Sequence, residues 1–121
     1  MKILMVNQLL EEILIYEGLN LAGWNKTYID EHIAKLLKNY NPNGLRKGVL
    51  VTYLECDRDK YLGFINGYRM HMTEYAPEGF KYVGEPIDMP SNGQLLTVLG
   101  MNYEAGGLFY LVYHIIVRVA P

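Results

Sequence analysis

Cysteine is almost missing from this 121-residue chain: Cys56 is the only one. An internal disulfide is excluded, and a reducing, cytoplasmic setting is expected. Cys56 lies in the charged run Glu55-Cys56-Asp57-Arg58-Asp59-Lys60. The neighbouring carboxylates disfavour a thiolate, so the residue reads as an ordinary free thiol. Basic excess is also lacking. Eleven Lys and Arg face thirteen Asp and Glu, whereas proteins that hold nucleic acid by bulk electrostatics carry a surplus of cations. A nucleic-acid partner is therefore not expected.

Long apolar runs are missing too. The opening Met1-Lys2-Ile3-Leu4-Met5-Val6 breaks at Asn7 and Gln8 and meets Glu11 and Glu12. Neither a signal peptide nor a membrane span is expected from such a pattern. Catalytic signatures are lacking as well: there is no phosphate-binding G-x-x-x-x-G-K-[ST] and no G-x-S-x-G. The histidines, His32, His71 and His114, stand on separate segments with no ligand spacing. No metal or cofactor is expected, and no catalytic residue can be named.

Half of the residues are hydrophobic and 20% are charged, as in folded domains. A chain of this length forms one domain, residues 1–121, and buries roughly two-thirds of its unfolded surface.

Period and punctuation predict an α+β fold: two N-terminal amphipathic helices, then an antiparallel sheet of about five to six strands. The helical part covers about 3–40 and the sheet about 47–119. Val6, Leu9, Leu10, Ile13 and Tyr16 recur at helical spacing over Ile3–Glu17, and Gly18 follows as a C-terminal cap. Ile, Val and Met at the very start are equally good strand formers. Leu21 and Trp24 are expected to fold back over the helix pair. Thr27 is the expected N-cap of the second helix, with Asp30 at the capping-box position. Ile29, Ile33, Leu36, Leu37 and Tyr40 form its apolar stripe, and Asn41-Pro42-Asn43-Gly44 ends it.

Gly48–Glu55 is apolar on both faces, as a central strand is. Asn66-Gly67 reads as a hairpin turn joining strands Tyr61–Ile65 and Tyr68–Tyr75. Phe80–Val83, Gln94–Tyr103 and Leu108–Val119 read as further strands, with a loop over Gly84–Gly93.

On the strand reading, residues two apart share a face. Arg69, His71, Thr73 and Tyr75 then group on one side of their strand, and Tyr110, His114 and Arg118 on one side of the last. Guanidinium, imidazole and aromatic groups together fit a small polar or anionic ligand, for instance one like a nucleotide. The other side of the last strand, Phe109, Leu111, Tyr113, Ile115, Val117 and Val119, is wholly apolar and must be buried. A long apolar strand needs cover, and eleven tyrosines suit a surface that is dry in one state and wet in another. A homo-oligomer, dimer or higher, is expected.

The functional expectation is a non-enzymatic, self-associating, tyrosine-rich binding protein with a ligand on that sheet face. The alternatives are an accessory protein or inhibitor of the type encoded by phages and mobile elements, acting by protein contact; a virion or assembly component; and a small enzyme with His71 or His114 as general base.

Overall fold

The computed structural model describes residues 2–6, 12–39, 47–89 and 96–121. Strands β2 (Glu12–Leu21), β3 (Lys47–Glu55), β4 (Lys81–Met89), β5 (Leu96–Ala105) and β6 (Leu108–Val119) form one mixed sheet, joined at one edge by the short β1 (Lys2–Val6). The strand order is β1-β2-β3-β6-β5-β4. The pairs β2–β3 and β3–β6 are parallel, and the other pairs are antiparallel. Helix α1 (Lys26–Ala34), prolonged by a π-helical stretch (Lys35–Asn39), joins β2 to β3. Helix α2 (Arg58–Glu74) follows β3.

This architecture overturns the arrangement of two N-terminal helices before an antiparallel sheet. The described helices are α1 and α2, one on either side of β3, and the sheet is mixed. The described parts of that segment, residues 3–6 and 12–17, lie in strands β1 and β2 rather than a helix, and Gly18 pairs with Val51 in mid-strand instead of capping anything. Strand pairing decides here, because Ile15 and Tyr16 begin a run that lines up beside β3 over seven partner pairs. The helical positions Leu9 and Leu10, the stripe residue Tyr40 and the turn Asn41–Gly44 lie outside the described residues.

The hairpin expected at Asn66-Gly67 is the second correction. Residues 58–74 form one helix, whose buried residues are Tyr61, Ile65, Tyr68 and Met72. Their spacing of four, three and four is helical, and that burial outweighs the poor helix propensity of Gly63, Gly67 and the tyrosines. Strand β4 also runs through the loop expected after Val83, with its register shifted between Val83 and Ile87 where Pro86 stands. At α1 the cap is Asn25, whose side chain accepts from the Tyr28 N–H at 3.1 Å; Thr27 lies inside the helix. The strands expected over Gly48–Glu55 and Leu108–Val119 do form.

Both helices pack on one face of the sheet. Leu19, Leu21, Leu50, Leu54, Leu99, Met101, Val112 and Ile116 are its buried positions, matched by Ile29, Ile33, Leu36 and Leu37 from the α1 segment and by the α2 stripe. Gly48 lets Leu36 sit close to the sheet: a Cβ there would stand 3.2 Å from the Leu36 side chain, which would have to give by a few tenths of an ångström. The alternate residues of β3 and β6, together with Val98 and Ile87, point to the opposite face. Neither α1 nor α2 covers that face. Tyr53, Ile87, Phe109 and Val119 are exposed on it, while Leu111, Tyr113, Ile115 and Val117 are only half-buried.

This reverses the expected burial of β6. The face carrying Val112, His114 and Ile116 is the one sealed under the helices, and no described helix covers the uniformly apolar face.

Candidate functional site

The residues expected to share one sheet face do not converge. Arg69, His71 and Thr73 sit on α2 and Tyr75 ends it, so the strand argument that grouped them fails. Tyr110, His114 and Arg118 do lie on β6 and face the helices.

His114 is fully buried. Its Nδ1 is 2.5 Å from the Tyr68 hydroxyl of α2 and its Nε2 is 3.2 Å from the Tyr103 hydroxyl of β5. A neutral imidazole has one N–H and one bare nitrogen. One tyrosine therefore donates to it and the other accepts. Burial lowers the His114 pKa to about 3 and raises those of Tyr68 and Tyr103, so all three groups are neutral at ordinary pH. The arrangement pins α2 to the sheet and leaves no room for a ligand.

The remaining expected residues are scattered. Arg118 Nε donates to the Cys56 carbonyl at 2.8 Å, tying the end of β6 to the end of β3. Arg69 pairs with Asp88, joining α2 to β4, with Nη1 3.2 Å from Oδ2. Thr73 Oγ1 donates to the Met70 carbonyl of its own helix at 3.0 Å. Tyr110 packs edge-on against Phe80 at 5.3 Å between ring centres. His71 Nε2 lies 2.5 Å from Asp30 Oδ1, its ring stacks on Tyr75 at 5.6 Å, and the Tyr75 hydroxyl donates to the Asp30 carbonyl at 3.4 Å. Asp30 thus anchors α1 to α2 instead of closing a capping box. A second such tie, His32 Nδ1 to Glu17 Oε1 at 2.9 Å, fixes α1 to β2.

A concave site exists elsewhere. Strands β2, β3 and β6 run parallel, so their C-terminal ends lie side by side, and α1 and α2 start nearby. A cleft of about 640 Å³ opens there, between Trp24, Leu54, Glu55, Asp57, Phe64 and the bare backbone at Gly63 and Gly67. Leu21 is buried in the core, and Trp24 rests against helix α2 while staying 47% exposed. It meets Phe64 edge-on at 5.5 Å and His71 at 5.7 Å. The charged lining residues are two acids, Glu55 and Asp57, and one cation, Lys60.

Sequence reasoning missed this cleft because it read the sheet as antiparallel. The signal present was a strand–helix–strand unit over β2, α1 and β3, which gathers loops at one end of a parallel pair. Among the described residues no group of three or more His, Cys, Asp or Glu could hold a metal ion. No described helix is long and apolar enough to cross a membrane. No protein-family model matches the chain, and no curated protein matches it either.

Proposed function

We propose that this chain is a non-enzymatic binding protein of the cytoplasm that works as a self-associated pair, two copies joined through their uncovered sheet faces. The observation that carries this reading is the apolar face of β3, β6, β5 and β4 that neither helix covers. About nine residues by four strands span roughly 30 Å by 19 Å. Lys47, Asn102, Glu104 and Lys81 gather at one end of this face, and the apolar remainder stands within the few hundred Å² that marks an interaction surface. Its centre, Val49, Val51, Ile115, Val117 and Val98, holds no charge.

Charges mark its ends. Lys47 opens β3 and Glu55 closes it on the same face. A two-fold axis in the plane of the interface and across the strands sets the Lys47 end of one copy over the Glu55 end of the other. Sheets stacked in this way pack about 10 Å apart.

Charge exchange tests the arrangement. Lys47→Glu or Glu55→Lys alone weakens association measured by analytical ultracentrifugation, and the double exchange restores it. Equal association in all four proteins refutes this geometry.

An assembly component, or a phage-type accessory protein that grips another macromolecule, would present the same face. Open-ended polymers or a 1:1 complex with a different protein would favour those readings over a closed pair. A small anionic ligand on the helix-side sheet face finds no support, since helices fill that space.

A further inference from the structure

We propose that the cleft at the C-terminal ends of β2, β3 and β6 is a binding site for a small aromatic amine: a flat ring held against Trp24 and Phe64, with its ammonium group beside Glu55 and Asp57. The proposal deepens the binding reading above and shares with the pairing geometry only Glu55, which ends β3 beside both.

Position comes first. In open sheets with parallel strands, ligands lodge beyond the carboxyl ends of those strands, where the following loops and helix starts converge. Here β2, β3 and β6 end together at such a place. The volume of about 640 Å³ falls within the few hundred to about 1,000 Å³ of small-molecule pockets.

The floor of the cleft is the second observation. Gly63 and Gly67 are four apart on α2 and so lie on one side of it. Glycine inside a helix is unfavourable, and a close neighbour is the usual reason for tolerating it. A Cβ at either position would meet nothing within 4 Å, in contrast to Gly48 under Leu36. Nothing within the described protein demands these two glycines. The open lane above them accommodates an occupant from outside.

Trp24 supplies the ring contact. Phe64 and His71 grip the indole edge-on at 5.5 and 5.7 Å, and His71 is itself fixed by Asp30 at 2.5 Å. An exposed aromatic held in this way is ordered before any ligand arrives, which lowers the entropic cost of binding. Charge then selects the ligand. Two lining carboxylates against Lys60 leave the cleft net acidic, and aromatic rings attract cations at their faces. An anionic ring compound meets repulsion from both carboxylates.

The test uses one ring with three charges: 2-phenylethylamine, 2-phenylethanol and phenylacetate. Trp24 is the only tryptophan, so its selectively excited emission reports binding. The amine is expected to saturate the signal and bind about tenfold tighter than the acid. Asp57→Asn, which leaves Glu55 and the proposed pairing intact, should lower that preference while the alcohol still binds. Gly67→Leu should abolish binding without lowering Tm, because leucine is the better helix former. Tighter binding of phenylacetate, unchanged binding in Gly67→Leu, or no binding of any of the three overturns the proposal. Mass measured on the same samples separates the two claims: a monomer that binds the amine removes self-association alone, and a dimer that does not bind it removes the site alone.

Discussion

Acidification should destabilise this protein through His114, and the size of the effect follows from its environment. The imidazole is fully buried between Tyr68 and Tyr103, and desolvation lowers its pKa from 6.5 to about 3. Between those values the unfolded chain binds a proton that the folded chain does not. Stability therefore rises with pH across the window from about 3 to 6.5, is fully present above it, and falls by about 1.4 kcal/mol per pH unit on descending through it. Because pH 5 lies above the folded value, the loss from pH 7 to pH 5 is set by unfolded-state protonation alone and comes to about 2 kcal/mol. Against a total of roughly 6–18 kcal/mol for a chain of this length, that is readily measured. The assay is urea denaturation at pH 5, 6 and 7 with the protomer concentration held fixed. His114→Gln is the control, since its amide offers one acceptor and donors but does not titrate in this range. Wild type should lose about 2 kcal/mol more than His114→Gln over this interval. Identical pH dependence of the two proteins would refute the buried neutral imidazole.

Two further outcomes follow from the helix α2. Gly63→Ala and Gly67→Ala should each raise stability by about 0.5–1 kcal/mol, because alanine suits a helix interior better and the added methyl meets no neighbour; a fall in Tm for either would place an unseen neighbour over the glycine. Arg69→Ala should cost less than about 1 kcal/mol, since its partner Asp88 is 65% exposed and solvent screens the pair; a loss several times larger in chemical denaturation would contradict that.

The sequence was readable where one period dominated and misleading where two elements shared the same residues. Gly48–Glu55 is apolar on both faces, and it is the central strand with neighbours on both sides. Leu108–Val119 alternates cleanly and forms β6. Ile3–Glu17 carried helical spacing by coincidence of its leucines and isoleucines, but its described parts, residues 3–6 and 12–17, are strand, β1 pairing with β2 and β2 with the distant β3. Residues 61–75 held both a hairpin dipeptide, Asn66-Gly67, and a helical stripe, Tyr61, Ile65, Tyr68 and Met72. Local turn chemistry favoured the hairpin; burial against the sheet selected the helix.

The error over His114 has a related cause. An imidazole on a strand suggests a solvated side, but hydroxyls brought from α2 and β5 satisfy it in the core. Partners supplied by tertiary structure cannot be counted from one strand. The cleft was invisible for the same reason, since Trp24, Glu55 and Phe64 come from segments that meet only once β2 and β3 run parallel.

Self-association depends on the apolar sheet face that neither α1 nor α2 covers. Light scattering on the chromatographed wild-type protein at micromolar concentration, beside Ile115→Lys, tests it directly. Wild type should scatter with twice the 13.9 kDa mass of the chain, and Ile115→Lys should scatter as a monomer with unchanged circular dichroism. A wild-type protein that remains monomeric over this range would contradict the account.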